Sequence, residues 1–238
     1  MRWKDRIPRP WRLTYQLWRK AFRDTINQTI FAKPEKIPFE SELPFQLELE
    51  QIVNPSYLFE NKFHNIELAG QRIEQIPIRP SEVFSFWRAI GAPSGENGFK
   101  KGRNLINGKL TEDYGGGLCQ LSGLLYHLAL LGGLSIIERH AHSVDIYEEH
   151  ERYTPLGADA TVVYGYKDLR IKNPYEFCIG FVVRREEKRL FAYLKSEEAI
   201  PQREIQFIRK QQEEGEEVET QALSPKGKKT ITVSFYKR

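Results

Sequence analysis

One short stretch of the chain places a thiol where its chemistry would be enhanced. Cys119 follows three consecutive glycines, Gly115, Gly116 and Gly117, and precedes leucines that recur at helical spacing. The leucine pattern predicts a helix that begins at or just before Cys119 and stops at the glycine pair 132–133. Because the first turn of a helix has unpaired backbone N–H groups and a positive dipole end, the pKa of this thiol should be lowered.

Two histidines follow on the next predicted element. Residues 134–147 alternate in the manner of a strand, and His140 and His142 fall on the same, more apolar face. A cysteine at a helix start and a histidine on a following strand are typical of papain-like and transglutaminase-like thiol enzymes. There the imidazole is a general base or the ion-pair partner of the thiolate. Asp159 is the first candidate to orient the imidazole, ahead of Asp145 on the opposite strand face.

The same residues allow two other interpretations. A free cysteine beside an apolar helix is often a small buried residue that only packs. A His-x-His pair together with Cys119 and Asp159 also has the residue types of a zinc site. Cys178 lies in an apolar strand pattern, where it is expected to pack rather than to add a ligand. The interpretation as a thiol enzyme needs neither a metal ion nor a cofactor.

Four motifs occur in an order that resembles the VanW family. They are FSFW at 84–87, GGGLCQLS at 115–122, ERHAHS at 138–143 and DLRIKN at 168–173. Four separate motifs in one order make a chance similarity improbable. That family is named for an accessory protein encoded in a vancomycin-resistance cluster of bacteria.

The resemblance bears on the choice between the two histidines. In that family the position of His142 is kept as histidine, whereas the position of His140 can be tyrosine and that of Asp159 can be glycine. It therefore favours His142 as the partner of Cys119, with His140 or Asp159 in a supporting role.

The other polar residues of the motifs receive two kinds of role. Gln120, Ser122 and Arg139, with the glycine triplet, are candidates for binding the substrate. Asp168 and Asn173 match the family pattern and could orient an imidazole, although aspartate and asparagine at such positions more often form a turn at a strand end.

The resemblance and the thiol together predict a VanW-like protein of the bacterial cell envelope or of glycopeptide resistance. Cys119 would carry out acyl transfer or hydrolysis on a peptide or amide, with N–H groups near Gly117 and Cys119 as the oxyanion site. The ligand would be a peptide or a cell-wall precursor. The alternative is a non-catalytic module that binds a cell-wall peptide or a membrane-associated partner.

Length and patterning indicate one main folded unit. The chain has 238 residues with 40% hydrophobic content, enough for one sizeable core. We expect an α+β fold in which the thiol-bearing helix packs on an antiparallel sheet, in an arrangement that could be papain-like or transglutaminase-like. Residues 1–38 would form a basic, aromatic helix and linker, and residues 39–238 a single domain.

The sequence also predicts the main loop and several strands. Residues 91–109 are predicted to form a long loop. Strands are predicted at 161–166, 177–184, 190–195 and 230–236.

Charge is concentrated at the N-terminus. Residues 1–25 contain eight basic and two acidic side chains, a balance of +6, while the whole chain carries +4. Trp11, Tyr15, Trp18 and Phe22 recur there at helical spacing. Such a stripe usually packs on its own domain, but with this charge it also resembles a helix lying on an anionic membrane surface. The small overall excess of basic residues, without a nucleic-acid motif, argues against nucleic acid as a partner.

The location is expected to be cytoplasmic. No run of eighteen apolar residues is present, and no apolar signal segment follows the basic start. Two cysteines without a secretory signal favour reduced thiols. If the N-terminal helix binds lipid, the protein would lie on the inner face of the membrane.

Overall fold

The computed structural model describes residues 8–35, 43–53, 57–106, 109–144, 152, 154–225 and 227–237. The helices of these residues are α1 (Arg9–Ile26), α2 (Phe59–Ile73), α3 (Phe86–Ile90) and α4 (Leu118–Leu131). The first strands are β1 (Phe45–Ile52), β2 (Val83–Ser85), β3 (Lys101–Ile106), β4 (Lys109–Tyr114) and β5 (Ser135–Glu138). They are followed by β6 (Arg170–Lys172), β7 (Ile179–Glu186), β8 (Arg189–Ser196), β9 (Ile205–Gln212), β10 (Gly215–Ser224) and β11 (Gly227–Lys237).

The strands pair into small antiparallel sheets. Three of these sheets have the orders β1-β8-β7, β2-β6-β5 and β11-β10-β9, and β3 pairs with β4 as a hairpin. Helix α4 packs on β1 and β8. The predicted α+β class, with the thiol-bearing helix on an antiparallel sheet and a helix near the N-terminus, is confirmed.

Helix α4 forms the centre of the core. Its leucines Leu121, Leu124, Leu125 and Leu128 are fully buried, as the sequence spacing predicts. The helix ends where predicted: Gly132 is its C-cap, with its N–H donating to the Leu128 carbonyl at 2.9 Å, and Gly133 follows with φ of 67°.

Three predicted segments differ in the structure. The predicted loop 91–109 contains β3 and the start of β4. In the sequence, these two strands are separated by the Asn-Gly pair at 107–108, which is a signal for a hairpin. The predicted strand 134–147 is cut short, since the β5–β6 register shifts between Ile136 and Glu138 and β5 ends there. The predicted strand 161–166 does not form; residues 164–166 are a turn closed by an isolated bridge between Val163 and Lys167. The less favoured candidate Asp145 lies outside the described residues.

Buried ion pairs hold α1 against the domain. Arg170 donates from both terminal nitrogens to the two carboxylate oxygens of Asp24, at 2.6 and 3.1 Å. Its Nε also lies 3.1 Å from Asp168 Oδ2 and 3.3 Å from Glu138 Oε2. On the same face of α1, Lys20 Nζ lies 2.9 Å from Glu138 Oε1. Lys20 and Asp24 therefore lie on the docked face of the helix.

The aromatic stripe of α1 faces solvent. Trp11, Tyr15, Trp18 and Phe22 are 74%, 57%, 62% and 56% exposed. The expectation that this stripe packs on the domain is wrong. Each docked residue follows a stripe residue by two positions in the sequence, which places it about 200° around the helix, on the opposite side. Within the described residues, no helix is both long and apolar enough to span a bilayer.

We expect Asp24→Asn to lower the free energy of unfolding by about 3 kcal/mol, because it removes the carboxylate that pairs with both terminal nitrogens of the buried Arg170. Urea unfolding monitored by circular dichroism measures this loss. Glu35→Gln is the matched control, since it also breaks a carboxylate–arginine pair, but an exposed one with Arg79. It should cost less than about 1 kcal/mol. Equal losses in the two variants would contradict the importance of the buried pair.

Candidate active site

A glycine turn places Cys119 in the first turn of α4. Gly117 precedes the helix with φ of 99°, and Gly115 has φ of 86°, both in the region that other residues rarely adopt. A Cβ on Gly117 would also lie 2.7 Å from Lys62 Cγ. The backbone here can turn this tightly only with glycine, and the predicted position of the thiol at a helix start follows from that turn.

The thiol of Cys119 is half-buried and has polar neighbours. Its Sγ lies 3.6 Å from Thr161 Oγ1 and 3.8 Å from the carbonyl oxygen of Val162. Burial acts to raise the pKa of Cys119, but the hydrogen bond and charge of His142 outweigh burial, and the pKa is lowered. The environment therefore favours the thiolate.

The imidazole of His142 is fixed by one carboxylate oxygen. Its Nδ1 lies 2.7 Å from Asp159 Oδ2, and the backbone N–H of His142 donates to the same oxygen at 2.8 Å. Burial opposes the charged ring, but the hydrogen bonds to Asp159 and Cys119 raise the pKa of His142 to about 10. Since Nδ1 is engaged by Asp159, Nε2 is the nitrogen left for the thiol.

Asp159 is itself held by two groups from other parts of the chain. Arg139 donates from a terminal nitrogen to Asp159 Oδ1 at 2.9 Å and from Nε to the backbone oxygen of Asp159 at 2.7 Å. The hydroxyl of Tyr236 donates to the same Oδ1. Burial acts to raise the pKa of Asp159, but the hydrogen bond of His142 and the charge of Arg139 keep it lowered. The carboxylate is therefore ionised beside the imidazole.

The structure places His140 apart from this group. Its Nε2 lies 3.0 Å from Glu138 Oε1, and its backbone oxygen accepts from Thr161 N at 2.7 Å. The shared strand face predicted for the two histidines does not exist, because β5 ends at Glu138. We therefore assign His140 a role in holding the loop beside the thiol rather than a supporting catalytic role.

The predicted substrate-binding side chains point into the protein. Gln120 Nε2 donates to the Ile52 carbonyl at 3.2 Å, and Ser122 Oγ donates to the Ala160 carbonyl at 2.6 Å. Arg139, with only 4% of its side chain exposed, supports Asp159. These contacts give all three side chains structural or positioning roles, and their part in substrate binding stays a prediction.

The glycine triplet has a role in the backbone turn. Besides the two glycines with positive φ, Gly116 contributes its carbonyl oxygen, which accepts from Asn65 Nδ2 at 3.0 Å. Gly115 and Gly116 are buried, so the triplet shapes the turn, and only Gly117 is partly open.

Asp168 and Asn173 also serve structure. Asp168 accepts from Ser85 Oγ at 2.6 Å and from the Trp87 N–H at 3.2 Å, which joins two of the sequence motifs. Asn173 Nδ2 donates to the Ile78 and Phe177 carbonyls, both at 2.8 Å. Neither residue orients an imidazole.

Tyr236 and Thr161 were not among the residues that sequence patterns single out. Tyr236 lies in β11, far along the chain from the motifs, and shares its strand parity with Ser234, whose hydroxyl contacts Arg139. That parity is a weak signal, because it shows only that both residues face inward.

The two imidazoles do not converge on one point, since His142 faces Asp159 and His140 faces Glu138. Across the described residues, no group of three or more His, Cys, Asp or Glu side chains is arranged to hold a metal ion. The site contains the Cys119 thiol, the His142 imidazole that lowers its pKa, and the Asp159 carboxylate that holds the ring.

The sequence profile of the family described as VanW-like protein matches residues 61–194, more than half of the chain. The chain belongs to the VanW family. The VanW match includes Cys119, His142 and Asp159, whereas α1 and the strand that carries Tyr236 lie outside it.

Two curated proteins are similar over a large part of the chain. The vancomycin B-type resistance protein VanW of Enterococcus faecalis is 32% identical over 156 residues, which cover 63% of this chain and 57% of that protein. The uncharacterized protein YoaR of Bacillus subtilis is 29% identical over 208 residues, which cover 82% of this chain and 67% of that protein. The chain thus spans little more than half of the first relative. No solved structure matches, and the papain-like or transglutaminase-like arrangement stays a prediction.

We expect iodoacetamide at neutral pH to alkylate Cys119 well before Cys178. The pKa of Cys119 is lowered, whereas burial raises the pKa of Cys178 to about 11. Since the thiolate is the reactive form, peptide mass spectrometry over time should resolve the two rates within one sample. If neither thiol reacts until urea is added, Cys119 is a packing residue.

In a Cys178→Ala background, we expect His142→Gln to raise the apparent pKa of Cys119 alkylation by about 1–3 units, because the thiolate loses its cationic partner. Asp159→Asn should act in the same direction, since the imidazolium loses its carboxylate. The matched control is His140→Gln, which removes an imidazole two residues away that faces Glu138. A pKa that rises equally in the control would contradict the assignment of His142.

Proposed function

We propose that this protein catalyses acyl transfer or hydrolysis at a peptide or amide carbonyl, with Cys119 as the nucleophile. The observation that carries the proposal is the hydrogen bond of 2.7 Å between His142 Nδ1 and Asp159 Oδ2 beside the Cys119 thiol, whose pKa His142 lowers. A lowered thiol pKa beside a raised imidazole pKa supports a thiolate–imidazolium pair at neutral pH.

The first step would form a thioester. The Cys119 thiolate attacks the carbonyl carbon, and the electron pair of the carbonyl moves onto its oxygen. When that pair returns, the C–N bond breaks, and His142 gives its proton to the leaving nitrogen. The products are a free amine, an acyl group on Sγ and a neutral imidazole.

The second step would release the acyl group. Neutral His142 removes a proton from water or from an acceptor amine, which attacks the thioester carbon. The C–S bond then breaks and the thiolate re-forms beside the imidazolium. Water gives a carboxylic acid, and an amine gives a new amide, so the acceptor alone separates hydrolase from transferase.

Backbone N–H groups supply the oxyanion site in this scheme. The Leu118 N–H already donates to the Gly115 carbonyl oxygen at 3.2 Å. The Cys119 N–H is the next donor in the first turn, where helix geometry supplies no internal partner. The partial positive charge of the helix end adds to its effect.

The substrate class rests on the family. The name of the Enterococcus faecalis relative links that protein to vancomycin resistance. We infer that this chain acts on a cell-wall peptide or a precursor of one and is connected with the bacterial cell envelope. The cytoplasmic location stays a prediction from cysteine usage.

To test this function, purified protein is incubated with a mixture of cell-wall muropeptides, with and without an amine acceptor, and the products are followed by mass spectrometry. We expect new acid or amide products from the wild type and at least about a hundredfold less from Cys119→Ala. His140→Gln is the matched control and should retain its rate.

Two outcomes would overturn the proposal. If wild type and Cys119→Ala give the same products, the thiol is not the nucleophile. If both bind the muropeptides in calorimetry and neither converts them, the protein is the non-catalytic binding module.

A further inference from the structure

We propose that α1 docks this protein onto an anionic lipid membrane through an exposed aromatic face. This face consists of Trp11, Tyr15, Trp18, Phe22 and Ile26. Ile26 is 63% exposed, and the four aromatic residues are each more than half exposed. Trp18 and Phe22 stack with their ring centroids 5.6 Å apart. A continuous apolar surface of this kind on a folded protein marks an interaction site.

The orientation of α1 is set by buried contacts on its opposite side. Asp24 is only 6% exposed and bonds Arg170 through both oxygens, and Lys20 bonds Glu138. Leu13 packs closely on Gly165, where an added Cβ would lie 2.2 Å from its Cδ1. Turning the aromatic face inward would expose Leu13 and break the buried Asp24–Arg170 pair. The aromatic face is therefore held outward by the fold.

Cationic side chains adjoin the aromatic face. Arg12, Arg19 and Arg23 recur at helical spacing beside it, and the last two are exposed. Residues 1–25 carry +6, whereas the rest of the chain carries −2. Tryptophan and tyrosine beside arginine suit the boundary between lipid headgroups and acyl chains, where rings enter the apolar layer and cations meet anionic headgroups.

The same charge argues against a second copy as the occupant. Pairing two aromatic faces would bring two segments of +6 together, and like charges across an interface oppose association. An anionic bilayer is the partner whose charge complements this surface.

The test is co-sedimentation of the full chain with vesicles of phosphatidylcholine alone or mixed with phosphatidylglycerol. We expect binding to the mixed vesicles at low salt, and binding at least about tenfold weaker to neutral vesicles and at high salt. The triple variant Trp11→Ser, Trp18→Ser and Phe22→Ser should lose binding by a similar factor. So should Arg19→Gln with Arg23→Gln.

A matched control removes three exposed apolar side chains elsewhere, with Ile52→Ser, Ile137→Ser and Val233→Ser. It should bind as the wild type does. Thermal unfolding curves of all variants show whether each still folds. Cys119→Ala should also bind normally, so the docking test is independent of the proposed reaction.

Equal binding to neutral and anionic vesicles would overturn the proposal, as would retention of binding by the triple aromatic variant. Sedimentation velocity without lipid provides the remaining comparison. A dimer that the triple variant abolishes, with no vesicle binding, would assign the face to self-association instead.

Discussion

The largely buried carboxylate of Asp159 joins the segment at the end of β5 to β11, which lies far away in the sequence. Three side chains form hydrogen bonds to it: His142 in the segment after β5, Arg139 just after that strand, and Tyr236 in β11. An ionised carboxylate out of water is costly unless charged and hydrogen-bonding groups surround it. Here one guanidinium, one hydroxyl and one imidazole provide that compensation. The orientation of His142, and hence the state of the Cys119 thiol, depends on this arrangement.

A second buried network lies next to the first and fixes α1. Arg170 is its centre, with Asp24, Asp168 and Glu138 around it. Glu138 and Arg139 are neighbours in sequence, yet each belongs to a different network. At the end of β5, the side chain of Glu138 therefore contacts residues that hold the N-terminal helix, and the side chain of Arg139 contacts the thiol site. Asp168 extends the α1 network to α3 through Ser85 and Trp87, which explains why those motif residues serve structure.

The features that local sequence patterns predict are those that depend on local physics. Leucine spacing and flanking glycines predicted α4, and with it the position of Cys119. The sequence also favours Asp159 as the orienting group, and the structure brings it to His142. The sequence does not predict the orientation of His140 correctly, because a register shift in β5 breaks the alternation of strand faces. The aromatic stripe was misjudged because its packing depends on where Asp24 and Lys20 find distant partners, which helical spacing cannot show. Tyr236 carries no local signal, since its contact is set by the sheet that contains β11.

The two bonds from His142 to one oxygen of Asp159 have a thermodynamic consequence. Backbone and ring of the same residue are anchored to a single atom, so the side chain loses its rotational freedom when the protein folds. A ligand arriving at Cys119 would find the imidazole already placed and need not supply the ordering free energy. The same preorganisation leaves a half-buried thiolate exposed to oxidants between encounters, because the thiolate attacks a peroxide oxygen, the O–O bond breaks, and a sulfenic acid forms.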